Sequence, residues 1–397
     1  MRSVALPRHL PPTATPLAPR EWLAGLTPPR SSLADFGAAL GRYIGAPHVG
    51  LASSGRTALR LLLTALQAQP YLQGRTEVAL PGYTCPSVAK VVLDAGLTPR
   101  LVDLDPATLT YGEGSVAQVV GPKTLAVMVV HPFGLPVDVD EARDVAASVG
   151  AAMVEDAAQA LGARLDGRAV GMHGDAGLYS FGPGKPLALG GGGMVATSDD
   201  GLAQALASAW AKLPHAAGAW PWARMALFRL AFQPPLWWLA TRLGAQRVGD
   251  QEASWGYALT GFARAQAAVG MHLLPQLDAI NARRRRHAQR LAAVLSDFPQ
   301  VTMPVYAEDA IYLRFPLLAA TPALADALEQ RLWAAGMGVG RMYRRTLPEF
   351  FPQLAGSRLP GAERVARTLL TLPTHHYVQD RDLERMAAIV REVVCAH

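Results

Sequence analysis

Residues 77–105 of the chain read EVALPGYTCPSVAKVVLDAGLTPRLVDLD. The apolar run at 77–83 predicts a short strand, and 86–96 predicts a helix that stops at Gly96. Residues 99–105 predict a second strand. A helix between two short apolar strands is typical of a parallel sheet, because the helix carries the chain back across one face of the sheet.

The same alternation extends to both sides of this unit. Four further elements are predicted, namely helices at 58–68 and 140–150 and strands at 123–134 and 151–158. The pattern therefore predicts an α/β fold with a mostly parallel sheet. Ligands bind such sheets at the carboxyl ends of the strands. This rule places one site among Tyr83, His131, Glu155, Asp156 and the loop after Phe181.

The pattern changes at both ends of the chain. Residues 1–30 are rich in proline and predict an irregular arm, and 31–270 form the predicted large domain. Residues 271–397 predict a smaller α+β domain, with a helix at 271–296 and a last helix at 380–394. This domain also contains a predicted strand at 310–318 and a predicted helix at 325–336.

Composition and charge limit the classes of function. The chain has 397 residues, is 50% hydrophobic and carries a net charge of +6, which suits an anionic ligand without selecting one. No nucleic-acid-binding motif is present, so no nucleic-acid partner is expected, and no metal site is predicted. The two cysteines, Cys85 and Cys395, form no disulfide framework, and no signal peptide is recognised. These features predict a cytoplasmic protein.

A tryptophan-rich segment at 205–250 interrupts the alternation. It holds five of the eight tryptophans together with several arginines, and Pro234 and Pro235 make it too interrupted to span a bilayer. Three interpretations stay open: a helical excursion that packs on a partner subunit or caps the site, peripheral membrane contact through 220–247, or an apolar substrate pocket. A second feature, the run Arg283–Arg286, is interpreted as a solvated helix face, with a binding patch as the alternative.

Lys185 is one of only four lysines, and it lies on a Pro/Gly loop ahead of four glycines, 190–193. A Walker loop is excluded, because Tyr179 and Pro186 occupy positions that need Gly and Ser or Thr. Asp156 ends a buried strand, where a carboxylate is costly unless it faces a cation. A desolvated lysine has a lowered pKa and acts as a nucleophilic amine. Lysine, aspartate and phosphate donors are the groups that pyridoxal 5'-phosphate requires.

Longer stretches around these residues resemble one family. VEDAAQALGA (154–163), GDAGLYSFGPGKPLALGGGGMVAT (174–197), SSGRTALRLLL (53–63) and HPFGLPVDVD (131–140) are similar to the signature of the DegT/StrS family. Its members are fold-type-I pyridoxal-phosphate enzymes, best known as nucleotide-sugar aminotransferases. The resemblance implies a seven-stranded, mostly parallel sheet flanked by helices, a smaller C-terminal α+β domain and a homodimer. It also implies an amino-acid donor, expected to be glutamate, and a keto-sugar or related carbonyl acceptor.

The resemblance further implies roles for individual residues. Lys185 would form the Schiff base with the cofactor and transfer protons, and Asp156 would pair with the pyridine nitrogen. Gln159 would contact the phenolic oxygen of the cofactor. The phosphate would be bound at a helix N-terminus by residues that include Ser54, Gly55, Arg56, Thr57 and Ser180.

Several positions depart from the family pattern. Cys85 aligns with the aromatic residue that stacks on the cofactor ring, and two alternatives follow: Tyr83 substitutes for it, or the stacking is absent. Gly256 and Ala258 replace the Asn and Arg of a loop that reaches the partner subunit, and we hypothesise that Arg56 supplies the missing charge. Met342 replaces a common His.

Three alternatives stay open, the first because of the tryptophan-rich segment and the second because of these departures. The first is a lipid-linked or hydrophobic acceptor. The second is another reaction at Cα, of the lyase, aldolase or condensation type. The third is a membrane- or DNA-associated regulator without enzyme activity.

Overall fold

A computed structural model describes residues 8–214, 216, 220–243, 256–304 and 307–396. The strands are β1 His48–Ala52, β2 Glu77–Pro81, β3 Thr98–Val102, β4 Thr124–Val130, β5 Ala152–Asp156, β6 Arg164–Leu165, β7 Arg168–Ala169, β8 Ala176–Ser180, β9 Gly193–Thr197, β10 Val301–Thr302, β11 Arg314–Ala319 and β12 Leu369–Pro373.

The helices are α1 Pro19–Leu23, α2 Ser32–Ile44, α3 Gly55–Gln67, α4 Pro86–Asp94, α5 Asp140–Ser148, α6 Asp200–Trp210, α7 Trp220–Ala231, α8 Pro234–Arg242, α9 Arg264–Leu273, α10 Leu277–Leu295, α11 Pro322–Ala334, α12 Leu347–Phe350, α13 Pro360–Thr368 and α14 Asp380–Cys395.

The main sheet has seven strands in the order β1-β9-β8-β5-β4-β2-β3. The pairs β2–β3, β2–β4, β4–β5 and β5–β8 are parallel, whereas β9 runs antiparallel to both β1 and β8. Helices pack on both faces, as the apolar residues of β4 and β5 require, because these strands are buried throughout. The predicted α/β fold with a seven-stranded, mostly parallel sheet is confirmed.

A second sheet belongs to the C-terminal part of the chain. Its order is β10-β11-β12, and both of its pairs are antiparallel. Helices α11, α13 and α14 each bury an apolar face, with residues such as Leu328, Val365 and Val390 fully enclosed. The mixture of helices and an antiparallel sheet agrees with the predicted α+β character. The domain boundaries at about 30 and 270 stay predictions.

The N-terminal arm is irregular from Arg8 to Ala18, but it is packed into the protein. Leu10 and Ala14 are buried, and the Pro11 carbonyl lies 2.8 Å from Nε2 of His375. Arg8 forms an ion pair of 2.8 Å with Asp382. The arm therefore binds the C-terminal region, although its proline content gave no sign of this. Residues 1–7 of the predicted arm lie outside the described residues.

The run Arg283–Arg286 lies in helix α10 and differs from the solvated helix face that was predicted. Arg283 and Arg286 are exposed, but Arg284 is only 1% exposed and its Nη1 donates to Oδ1 of Asn281 over 2.8 Å. Arg284 is buried because it falls on the same helical stripe as Asn281, Ala288 and Leu291. The run is therefore not a uniform solvated face.

The tryptophan-rich segment contains the end of α6 together with α7 and α8, and its residues 215, 217–219 and 244–250 lie outside the described residues. Met225 of α7 packs on Gly190, the first glycine of the 190–193 run. The outward side of the two helices exposes apolar residues, among them Leu227, Leu230, Leu236 and Leu239. No helix in the described part of the chain is long and apolar enough to cross a membrane.

Candidate active site

A cavity of about 740 Å³ opens at the carboxyl ends of β4, β5 and β8. The ends of these strands contribute His131, Asp156 and Ser180, and the start of α3 contributes Ser54–Arg56. Helix α7 closes one side. The cavity lies where the sheet topology predicts a ligand site, because parallel strands present their carboxyl ends at a common edge.

Most of the predicted site residues meet in this cavity. The residues that line it include Ser54, Gly55, Arg56, Cys85, Asp156, Gln159, Ser180 and Lys185. Gly256 and Ala258, the two positions that depart from the family loop, also line it. Segments separated by about 200 residues of sequence therefore converge on one volume.

Two predicted cofactor residues do not line the cavity. Thr57 is fully buried on the first turn of α3, and its hydroxyl donates over 2.9 Å to the Ala258 carbonyl. Tyr83 is also buried, and its hydroxyl donates to the Met342 carbonyl, so its ring belongs to a small neighbouring cavity. The expectation that Tyr83 replaces the stacking aromatic is therefore not supported by its position.

A second residue, Glu155, does not lie where the sequence predicted it. It was expected at the site, but successive residues of a strand point to opposite faces of the sheet. Asp156 faces the cavity, whereas Glu155 is completely buried on the other face. There its carboxylate accepts N–H bonds from Gly171 at 2.7 Å and Gly174 at 2.8 Å.

Lys185 is partly buried on a loop between β8 and β9. Burial lowers the pKa of its amine, while Cys85 and Asp156 act in the opposite direction and Arg314 adds to the lowering. The net effect is a lysine that gives up its proton more easily than a free lysine does. A neutral amine in a cavity is a nucleophile and a base.

Asp156 is 6% exposed at the end of β5. Burial raises the pKa of its carboxyl above the ordinary value of 3.8, and Lys185 and the Ala158 N–H partly oppose this rise. The Ala158 N–H donates to Oδ1 over 3.0 Å. The ionised form of a buried carboxyl of this kind is stabilised when a cationic group is placed beside it.

The start of α3 forms the opposite end of the cavity. Ser54 caps the helix, because its Oγ accepts from the Thr57 N–H over 3.0 Å. A Cβ atom at Gly55 would lie 3.3 Å from Cβ of Ser180, so this turn passes close to the end of β8. The Arg56 guanidinium lies over the Tyr257 ring, 5.7 Å from its centre. Main-chain N–H groups and an arginine make this end suitable for an anion.

Several residues at or near the site were not among the predicted site residues. Trp220, Arg224 and Phe228 of α7 line the cavity, and Tyr343 lies in the small cavity beside Cys85. Arg314, at the start of β11, is buried, its Nη1 has no hydrogen-bond partner among the described residues, and its charge acts on Lys185. Arg314 could have been suspected from the sequence, because it is a charged residue within the apolar run AIYLRFPLL.

Pyridoxal phosphate fits these residues. The cavity contains a lysine with a lowered pKa and, beside it, a buried carboxyl that a protonated ring nitrogen would stabilise. The main chain of the glycines at 190–192 forms part of one wall. The volume of about 740 Å³ lies within the usual range for a small-molecule site.

Comparisons with known proteins agree with this chemistry. A profile of the DegT/DnrJ/EryC1/StrS aminotransferase family matches residues 27–391. The chain is 29% identical to the GDP-perosamine synthase of Caulobacter vibrioides, over 91% of this chain and 90% of the relative. It is 31% identical to the L-glutamine:2-deoxy-scyllo-inosose aminotransferase of Streptoalloteichus tenebrarius, over 91% of this chain and 85% of the relative. Among solved structures, S. venezuelae DesV aligns with a TM-score of 0.74 and 28% identity, over 94% of each chain.

Proposed function

Because the chain belongs to the DegT/DnrJ/EryC1/StrS aminotransferase family, we propose that it transfers an amino group from an amino acid to a keto-sugar, with pyridoxal phosphate as its cofactor. The observation that carries this proposal is that Lys185 and Asp156 face one cavity, with the pKa of the lysine lowered and that of the aspartate raised. These are the two groups that the cofactor needs at its aldehyde and at its ring nitrogen.

Each residue has a distinct part in this proposal. When bound, pyridoxal phosphate supplies an electron sink for the substrate carbon that carries the nitrogen. Asp156 would hold the positive charge at the ring nitrogen, and Gln159 would contact the phenolic oxygen. Nζ of Lys185 takes a proton from the donor's α-carbon and later returns one to the carbon of the acceptor.

The phosphate is assigned to the start of α3. The main-chain N–H groups of this turn, the hydroxyls of Ser54 and Ser180 and the charge of Arg56 lie at one end of the cavity. Thr57 contributes indirectly, because it fixes the 258–260 segment through its bond to the Ala258 carbonyl. Cys85 occupies the wall beside Lys185 without providing an aromatic ring.

The acceptor is proposed to be a nucleotide-linked keto-sugar. The name of the Caulobacter vibrioides relative refers to a GDP-linked sugar, and the net charge of +6 favours an anionic substrate. The donor is proposed to be glutamate, with glutamine as the second candidate because the Streptoalloteichus tenebrarius relative is named for it.

Two assembly properties are part of the proposal. A homodimer is inferred from the family resemblance, and the apolar residues exposed on α7 and α8 are available to be covered in it. Peripheral contact of these helices with a membrane is the alternative use of the same surface, and liposome flotation tests it. Light scattering of the purified chain tests the dimer.

The reaction is tested through its first half-reaction, in which only the amino donor is added. The chain is loaded with pyridoxal phosphate, freed of excess cofactor and mixed with glutamate or glutamine, while visible absorption and the released keto acid are recorded. We expect the absorption to fall as the keto acid forms in an amount equal to the bound cofactor. Lys185→Ala should abolish both signals, and Lys212→Ala, at an exposed position in the turn after α6, should change neither.

A contrary result would identify the competing chemistry. Cofactor that binds through Lys185 but releases no keto acid from either donor would reject transamination and favour elimination, aldol cleavage or condensation at Cα. Absence of a Lys185-dependent absorption would reject the assignment of the site itself.

A further inference from the structure

Helix α7 has two different faces. Pro221, Arg224 and Phe228 are three or four residues apart, so they share one side of the helix, and all three line the cavity. Leu227 and Leu230 are exposed on the other side. The tryptophan-rich segment therefore contributes a wall of the site within its own chain, with one cation in an otherwise apolar face.

The Arg224 guanidinium lies directly against the glycine run. A Cβ atom at Gly191 would collide with Nη2 of Arg224, so residue 191 leaves room for the guanidinium only because it has no side chain. The backbone of Gly191 has a φ of +156°, which side-chain-bearing residues rarely adopt. The glycine loop that follows Lys185 and the side chain of Arg224 in α7 therefore pack directly against each other.

Arg224 forms no ion pair with any of the described residues. Its Nε is buried and has no hydrogen-bond partner in the part of the chain that the structure describes. Residues 201–249 contain no aspartate or glutamate at all. Partial burial lowers the pKa of the guanidinium, as expected for a cation removed from water without a counterion. A partly buried cation of this kind is more stable when a ligand supplies the negative charge.

The position of Arg224 indicates which part of a ligand it meets. A Cβ atom at Gly191 would also lie 3.7 Å from the Ser53 carbonyl oxygen. The main chains of Gly192 and Ser54 form a single parallel β-bridge. Arg224 therefore lies at the end of the cavity where α3 begins, as does Arg56. Two arginines and a helix N-terminus at one end of a cavity favour a phosphate, because the guanidinium fork matches phosphate oxygens.

We propose that Arg224 binds a phosphate group in the cavity of its own chain, so that the tryptophan-rich segment completes the anion site. This inference rests on the proposed function and deepens it. The phosphate has two sources, the 5'-phosphate of the cofactor and the diphosphate of a nucleotide-linked acceptor. They have the same chemistry and are separated by experiment.

The first arm of the test compares pyridoxal phosphate with pyridoxal, which lacks the phosphate. Dissociation constants for both are measured on the full chain freed of cofactor, for wild type, Arg224→Gln, Arg224→Lys and Arg242→Gln. Arg242 is the matched control, because it is an exposed arginine of α8 that lies over the Trp238 ring. The second arm titrates the cofactor-loaded chain with UDP, GDP and dTDP by calorimetry.

We expect Arg224→Gln to weaken one phosphate ligand roughly 10-fold or more, the usual effect of losing a charge-assisted hydrogen bond. Arg224→Lys should recover part of this loss, and pyridoxal binding should not change. A loss confined to pyridoxal phosphate identifies the cofactor phosphate, and a loss confined to the nucleotides identifies the acceptor.

Equal affinities of wild type and Arg224→Gln in both arms overturn the proposal, as does an equal loss for pyridoxal and pyridoxal phosphate with no loss for nucleotides. If Arg224→Gln does not fold, Arg224→Met preserves the apolar stem and provides the same comparison. Failure of the proposed function is distinguishable, because these affinities do not depend on turnover with an amino donor.

Discussion

Nε2 of His131 lies 3.0 Å from Oε2 of Glu155, and both side chains are completely buried. The Val137 N–H donates a hydrogen bond to Nδ1 of the same ring over 3.2 Å. Nε2 therefore carries the ring proton, and its N–H donates a hydrogen bond to the Glu155 carboxylate. His131 lines the cavity, whereas Glu155 lies on the opposite face of the sheet. The pair therefore connects the floor of the site to the 170–174 loop.

Glu155→Gln is expected to destabilise the fold by about 2 to 4 kcal/mol, because buried N–H donors lose their charged acceptor. Burial alone would raise the pKa of Glu155, but hydrogen bonds from His131, His173 and the Gly171 N–H hold it well below the ordinary 4.5. The stabilisation is therefore complete above pH 4.5 and is lost as the pH falls. In urea denaturation between pH 7 and pH 3, the free energy of unfolding should decrease less on acidification in the variant than in the wild type. The exposed Glu113→Gln provides the control, and parallel curves for all three proteins would contradict this role.

Asp156→Asn is expected to slow amino transfer by about 100- to 1000-fold. Asparagine has nearly the same shape but cannot hold a positive charge at the ring nitrogen of the cofactor. The measurement is the rate of keto-acid release from the donor, with bound cofactor determined by absorption. Retained cofactor and an unchanged melting temperature would separate a chemical defect from a folding defect. A rate within threefold of wild type would remove Asp156 from the mechanism.

Cys85 is expected to become less reactive when the cofactor is bound, since it lines the cavity beside Lys185. Cys395 is exposed near the C-terminus and serves as the internal control in the same sample. Iodoacetamide labelling followed by peptide mass spectrometry measures both thiols with and without pyridoxal phosphate. Equal protection of the two cysteines, or protection of neither, would place the cofactor away from α4.

Gly193→Ala is expected to abolish retention of the cofactor. A Cβ atom at this position would lie 2.5 Å from the main-chain nitrogen of Gly55, which belongs to the first turn of α3 and has little freedom to move. Gly37→Ala in α2 is the control, because no atom lies within 4 Å of its Cβ position. That change should stabilise the fold by about 0.5 to 1 kcal/mol. Retained cofactor after gel filtration of Gly193→Ala would show that the turn tolerates displacement.

The elements with short apolar runs could be predicted closely from the sequence. The strand predicted at 151–158 is observed as Ala152–Asp156, and the helix predicted at 380–394 as Asp380–Cys395. The helix predicted at 271–296 is divided into α9 and α10 by a short turn that contains Pro275. Proline lacks the N–H that a continuous helix needs, which explains the division. Strands β1 and β9 were not predicted, because their few residues include glycines that weaken the strand pattern.

The candidate site was predictable where its residues follow strands and missed where distant helices supply them. Asp156, Ser180 and Lys185 lie on or just after parallel strands, and the rule for strand ends locates them. Arg224 belongs to a segment whose pattern allowed three interpretations, and only packing on Gly191 places its side chain at the cavity. Tyr343 depends in the same way on how the C-terminal part folds back, which sequence spacing does not encode.

The packing of the N-terminal arm joins parts of the chain that are far apart in sequence. The partners of Arg8 and Pro11 are Asp382 and His375, which lie 374 and 364 residues further along the chain. The arm also approaches the Lys185 loop, where the Thr15 hydroxyl donates to the Lys185 carbonyl. Residues 8–15 therefore connect the loop that carries Lys185 to the C-terminal region, so a cut within this arm would separate two parts of the fold that no neighbouring segment of sequence joins.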